Sequence, residues 1–354
     1  MTHIAAVHGV LPPHRYQQSE ITEAVAAMCL PPGADRSVLR RLHAGAAVAG
    51  RHLALPLERY AGLNGFGEAN DLFIETALGL GEQAMVAALS EAGLAPEDVD
   101  LVISTSVTGL AVPSIEARLA GRIGLRTDVK RVPVFGLGCV AGAAGLARLH
   151  DYLEGRPGQV AVLLSVELCS LTLQRRDDSV RGMVAGALFG DGAAAVVAVG
   201  SDHPRAREQA GPRVVATRSR LYPGTEDALG WDIGDSGFTV VLGAELPELV
   251  RLHLGEEVRS FLAEHDLKPP DVTGWVCHPG GPKVLDALRE TLALDARALD
   301  LTWRSLAEVG NLSSASVLHI LRDTLALRPP PPGTAGLVLA LGPGLCSELV
   351  LLRW

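Results

Sequence analysis

Apolar residues fall along this chain in two alternating patterns. Continuous apolar runs, of the kind buried parallel strands show, begin at Asp100 ("DLVISTSVTG"), Val132 ("VPVFGLG"), Gln159 ("QVAVLLSVEL"), Gly192 ("GAAAVVAVG"), Thr273 ("TGWVCHPGG") and Ala335 ("AGLVLALGPG"). Between them lie stretches with helical spacing at 73–94, 114–125 and 281–294. Strands alternating with helices predict an α/β fold with covered sheets. No solenoid-type repeat is visible. The polar, proline-bearing stretch from Gly200 to Arg213 is the best boundary, dividing residues 1–205 from 206–354. A second proline cluster, Arg328 to Gly336, reads as a stiff loop before the last strand.

Composition narrows the picture. With 48% hydrophobic but only 4% aromatic residues, the interior must be packed with Ala, Val, Leu and Gly. A net charge of −9 argues against a nucleic-acid or anionic-membrane surface, since those footprints are basic. The five cysteines, at 29, 139, 169, 277 and 346, form no CxxC pair, which suits neither a disulfide framework nor a zinc site. The expectation is a cytoplasmic protein with no signal peptide and no membrane span.

Cys139 stands where the run "VPVFGLG" gives way to "CVAGAAGLARLH". Val132 to Phe135 read as the end of a buried strand, Gly136 and Gly138 permit a sharp turn, and Val140 onward reads as a helix packed on all sides. The thiol then sits at a helix N-terminus, where unpaired amides favour a thiolate. That end contributes about 0.3–1 kcal/mol, up to ~2 when partly buried. Since one pKa unit is about 1.36 kcal/mol, the helix alone lowers the thiol by roughly one unit. An activated nucleophile needs a further base or cation. A buried, inert cysteine fits the same spacing.

His278 ends an apolar run and precedes "PGGP", which places it in a strand-to-helix loop. Asn311 follows Gly310 at a helix start, where a carboxamide can donate to an oxyanion. A satisfied core histidine and an ordinary N-cap fit these two positions as well.

Together the stretches "GLGCVAGAAGL", "ALFGDGAAAVV", "HPGGP", "GNLSSAS" and "GPG" resemble the type III polyketide synthases of the chalcone and stilbene synthase kind, over nearly the whole chain. The stretches "VFGLGCVAGAAGLARLHDYL" and "LLSVELCSLTLQ" look most like bacterial alkylpyrone and alkylresorcinol synthases. The resemblance implies a thiolase-like αβαβα layered fold of two similar halves, with the nucleophile in the first and the histidine and asparagine in the second. Cys139 matches the nucleophile that takes an acyl group from coenzyme A. His278 matches its imidazolium partner, and Asn311 with His278 matches the oxyanion site for decarboxylative Claisen condensation. Phe189 matches an aromatic gatekeeper, and Val240 stands where a second phenylalanine is usual, which predicts a wider tunnel mouth. Val107, Thr108, Cys169, Thr172 and Ser313 match cavity positions. Leu341 replaces the phenylalanine ahead of Gly342, Pro343 and Gly344. Cys169 is read as a passive cavity wall, Glu167 as a hydrogen-bonded support near the site, and Cys29, Cys277 and Cys346 as buried packing residues.

Arg40 and Arg41, with Arg36 and Arg51 nearby, give a basic patch for coenzyme A phosphates, Arg41 being best supported by family position. The same spacing fits a solvated helix face. The resemblance implies an acyl-coenzyme A starter, malonyl- or methylmalonyl-coenzyme A as extender, no metal or redox cofactor, and a homodimer to which Val112 reaches. The expected product is an alkylpyrone or alkylresorcinol from a medium- to long-chain fatty acyl starter. The alternatives are a tetrahydroxynaphthalene-type synthase fed only malonyl-coenzyme A, an initiating β-ketoacyl-acyl carrier protein synthase, a cysteine-dependent thioester hydrolase, and a silent binding protein.

Overall fold

The computed structural model describes residues 1–175, 177–208 and 211–354. The first part runs β1 (Thr2–Val10), β2 (His14–Gln17), α1 (Gln18–Cys29), α2 (Ser37–Gly45), β3 (Gly50–Leu53), α3 (Leu57–Tyr60) and α4 (Phe66–Ala92). It continues through β4 (Leu101–Thr105), α5 (Ile115–Ile123), β5 (Lys130–Val134), α6 (Ala141–Gly155), β6 (Val160–Leu168), α7 (Val180–Leu188) and β7 (Asp191–Gly200). The second part runs β8 (Arg213–Leu221), β9 (Leu229–Gly234), β10 (Gly237–Leu242), α8 (Leu246–Ala263) and β11 (Val272–Cys277). It ends with α9 (Pro282–Thr291), α10 (Asp300–Val309), α11 (Ser314–Leu327), β12 (Ala335–Gly342) and β13 (Cys346–Arg353).

The main sheet has the order β11-β12-β13-β8-β1-β7-β6-β4-β5. Strands β6, β4 and β5 are parallel, as are β11 and β12, while the central strands pair antiparallel. At the β1–β8 junction the ladder shortens to Thr2↔Val214 and His3↔Arg213. There the sheet turns over, so that both of its ends pack on α6 and α11. Helices α4 and α5 cover the outer face of the first end, and α8 and α9 that of the second. This is the expected αβαβα layering.

The central layer explains the alanine and glycine content. A Cβ on Gly142 would run into the Ser314 carbonyl oxygen and Val317 Cγ1, so α6 and the start of α11 meet almost backbone to backbone. Every residue of β6 and β7 is buried, as continuous apolar runs predict for strands covered on both faces. The long apolar helix α4, which by length and composition alone could span a bilayer, packs instead along β1, β6 and β7. Residues 209 and 210, inside the stretch read as the boundary between halves, lie outside the described residues.

One strand departs from expectation. The run from Val132 predicts a buried strand, yet β5 is an edge strand, with Val132 45% exposed and Phe135, just past its end, 47% exposed. Among the described residues β5 pairs with β4 alone.

Candidate active site

Cys139 lies in a single 3₁₀ turn, Gly138–Val140, between β5 and α6. Gly136 and Gly138 have φ of +93° and +54°, which favour glycine. Gly138 is also required by space: a Cβ there would lie 2.5 Å from Pro343 Cγ. A Cβ on Gly342 would meet Val140 Cγ1 at 2.8 Å, so the Gly342–Gly344 turn packs directly on the turn carrying the cysteine.

The thiol donates to Ser313 Oγ at 3.6 Å. Burial pushes its pKa up to about 12, against the opposing Ser313 hydrogen bond and with the same sign as the nearby Glu167 carboxylate. The helix N-terminus does not produce the depressed pKa expected for it, because loss of water costs the charged form more than the helix end returns.

His278 follows β11, its backbone N–H donating to Leu339 O at 2.8 Å, and the residue is 6% exposed. Burial drives the imidazole down to about 3. Its Nε2 lies 3.4 Å from Asn311 Nδ2, and its Nδ1 has no partner among the described residues. No hydrogen bond joins His278 to Cys139 among those residues. The thiol and the ring are thus not hydrogen-bonded to each other in this geometry, and burial disfavours the charged form of each.

Asn311 is fixed from three sides. Its Oδ1 accepts from Ser313 N at 2.8 Å, its N–H donates to Leu188 O at 2.8 Å, and its carbonyl accepts from Gly190 N at 2.9 Å. The last two bonds make Phe189 and Asn311 a parallel bridge, tying the aromatic residue after α7 to the carboxamide. Ser313 has φ +48° and ψ −127°, closed by Ala315 N donating to Leu312 O at 3.1 Å. A non-glycine residue held there stores about 1–3 kcal/mol of strain, a feature that clusters at functional sites.

Glu167, fully buried near the end of β6, accepts from Val107 N at 3.1 Å, Thr108 Oγ1 at 2.9 Å and Ser314 Oγ. Ser314 also meets Ser165 Oγ at 2.8 Å, which links β6 to the start of α11. Glu167 is thus the hydrogen-bonded support that the sequence suggested.

The cavity over Cys139 has a volume of ≈ 30 Å³, and Val107, Cys169, Phe189, Val240, Ser313 and Pro343 line it. Thr108 and Thr172 instead border a wider surface groove of ≈ 590 Å³. Thr108 is occupied by Glu167, and Thr172 donates to Cys169 O at 2.7 Å. Leu341 packs in the core with Leu345 and Leu349. Gly344, at φ +63°, donates to Leu229 O at 2.9 Å and so anchors β9 over the cavity. Cys277 is buried in the core beside α8 and α9, and Cys29 is buried as well. Cys346 is only half-buried, its thiol donating to Pro343 O at 3.4 Å.

Val240 does not face open space alone: Trp231 stands directly opposite it in the β9–β10 hairpin and lines the same cavity. Nothing in "LGWDIG" marks this residue; only the hairpin register reveals it. Across Phe189 lies a second, mostly apolar cavity of ≈ 70 Å³ reaching Ile21, Val25 and Met28. Cys169, Phe189, Trp231 and Val240 line both and form the partition between them.

The basic patch is smaller than expected. Arg36 and Arg40 both pair with Glu23 at 2.8 Å, Arg41 is exposed, and Arg51 is 2% exposed and turned inward. Arg51 lies on the covered face of its strand, which an arginine's sequence neighbours do not reveal.

Residues 39–203 match the profile described as "Chalcone and stilbene synthases, N-terminal domain" and residues 213–354 that of the C-terminal domain. The chain is 62% identical over 353 residues to a 1,3,6,8-tetrahydroxynaphthalene synthase of Streptomyces peucetius subsp. caesius, covering 100% of this chain and 93% of the relative. It is 34% identical to a putative chalcone synthase of Bacillus subtilis, covering 100% and 99%. Among solved structures, the 1,3,6,8-tetrahydroxynaphthalene synthase of Streptomyces coelicolor superposes with a TM-score of 0.93 at 29% identity, covering 99% of each chain. Profile, relatives and architecture agree, and the chain belongs to the chalcone and stilbene synthase family, the type III polyketide synthases.

Proposed function

We propose that this polyketide synthase uses malonyl-coenzyme A as both starter and extender and releases a tetrahydroxynaphthalene-type product, rather than an alkylpyrone or alkylresorcinol. The carrying observation is the 62% identity, across the whole chain, to a 1,3,6,8-tetrahydroxynaphthalene synthase. Trp231 in the wall of the cavity over Cys139 is consistent with it, since a large indole there favours a short starter over a fatty chain.

In this reading residues 1–205 supply the nucleophile and 206–354 the groups that serve it. Cys139 passes its proton to His278, which turns a neutral pair into thiolate and imidazolium, and the thiolate displaces coenzyme A from the starter. A second malonyl unit loses carbon dioxide while its thioester oxygen takes hydrogen bonds from Asn311 Nδ2 and protonated His278. The enolate carbon then attacks the acyl-Cys139 carbonyl, and the sulfur leaves. Phe189 gates the passage, and Arg41 with Arg40 meets the phosphates of coenzyme A. A second copy joins through the exposed apolar edge of Val112, Leu110 and β5.

The ≈ 70 Å³ apolar cavity beyond Phe189 favours the second reading, an alkyl starter whose tail crosses the partition. Mass spectrometry of products from malonyl-coenzyme A alone, and from a ladder of acyl-coenzyme A starters with malonyl- or methylmalonyl-coenzyme A, separates them. One aromatic product of ten skeleton carbons from malonyl-coenzyme A alone supports the proposal. Efficient conversion of long acyl starters to pyrone or resorcinol masses overturns it.

A further inference from the structure

We infer that Arg51 is a positioning residue for the condensation, holding Phe189 and the Asn311 carboxamide together as one unit through the end of α7. Its Nη1 donates to Phe189 O at 2.5 Å and its Nη2 to Gly186 O at 2.6 Å. Gln18 Nε2 takes Ala187 O at 2.8 Å, and Asn311 N takes Leu188 O at 2.8 Å. Four successive carbonyls at the helix end are thus capped by three side or main chains, and Asn311 receives the one that Arg51 and Gln18 leave.

The stem of Arg51 reinforces the placement. A Cβ on Gly310 would lie 3.0 Å from Arg51 Cδ, and one on Gly190 would lie 3.6 Å from Arg51 Cβ. The arginine therefore packs against the glycine before Asn311 and the glycine after Phe189. Among the described residues no carboxylate lies within ion-pairing distance of it. The nearby buried Asp191 is occupied by Ala54 N at 2.6 Å, Ser170 N at 2.8 Å and Ser170 Oγ. A charge buried without a contacting partner is costly, and what this one holds is the segment joining gate and carboxamide. A lysine could not span both carbonyls with the same planar fork.

The inference rests on Asn311 acting as proposed above, so Asn311→Ala is assayed beside Arg51→Lys. Arg51→Lys is expected to lower kcat for malonyl-coenzyme A about tenfold or more, with KM and the rate of Cys139 alkylation by iodoacetamide within about twofold of wild type. A merely structural role would reduce turnover and alkylation in equal proportion. That result, or a kcat within twofold of wild type, overturns the inference. If Arg51→Lys does not fold, Arg51→Gln decides, since it keeps a side-chain donor for one of the two carbonyls and removes the fork and the charge; an unchanged kcat then overturns the inference. Retained decarboxylation in Asn311→Ala would instead mean that the reading of the site is wrong.

Discussion

Replacing Trp231 by alanine should convert a synthase of short starters into one that accepts alkyl chains. Trp231 and Val240 face each other across the hairpin, and with Phe189 and Cys169 they separate the cavity over Cys139 from the apolar one beyond. Removing the indole joins the two, and an acyl tail loaded on Cys139 then reaches the wall of Ile21, Val25 and Met28. Four methylenes laid against that wall gain about 3 kcal/mol at about 0.8 kcal/mol each. Spent in the transition state, this is roughly a 200-fold rise in kcat/KM for an octanoyl starter over acetyl. The assay is competition between octanoyl- and malonyl-coenzyme A with radiolabelled extender, products being resolved by mass. Unchanged starter preference in a folded Trp231→Ala enzyme would refute the partition argument. Retained preference for malonyl with lower turnover would show that the indole positions the chain rather than limits its length.

Other consequences follow from burial and close packing. His43, His278 and His319 are driven by burial down to about 4, 3 and 3, so the unfolded chain binds up to three more protons as pH falls below 6.5. Their contribution to stability is complete above pH 6.5 and is lost on acidification, by at most about 4 kcal/mol per pH unit. Asp191, raised by burial to about 6, and Glu167 and Glu348, also raised by burial, oppose this. Urea melts between pH 7.5 and 5 should show the loss, and His319→Gln should reduce its slope; a flat profile refutes it. Gly138→Ala places a Cβ 2.5 Å from Pro343 Cγ at φ +54°, a strain of about 1–3 kcal/mol before the clash is counted. Turnover should fall at least tenfold while the protein still melts cooperatively. Arg41→Ala should raise KM for malonyl-coenzyme A about fivefold with kcat unchanged, an effect that shrinks in high salt.

Much of the architecture was legible because burial on both faces leaves a simple signature. The runs that became β4, β6, β7, β11 and β12 are continuous and apolar, and the glycine- and alanine-rich α6 had to be central. The same signature misplaced β5, since a run of apolar residues does not say whether its strand lies inside the sheet or at its edge. Cys139, His278 and Asn311 were visible through their turn residues. Trp231 and Arg51 owe their positions to the β9–β10 register and to the packing of β3 against α7, which local patterns do not encode.

The charge on Cys139 shows where local reasoning stops. A helix N-terminus contributes at most ~2 kcal/mol to a thiolate. Burial raises this thiol from 9.0 to about 12, which corresponds to roughly 4 kcal/mol, and the larger effect wins. Burial acts the other way on His278, so it disfavours the charged form of each group taken alone. Contact between Sγ and the ring offsets that cost by pairing the two charges, which favours the charged nucleophile where they meet. Removing His278 should therefore suppress alkylation of Cys139 near neutral pH, while alkylation at high pH, where hydroxide supplies the base, should survive. Equal alkylation of wild type and His278→Ala at pH 7 would show that the thiolate owes nothing to the histidine.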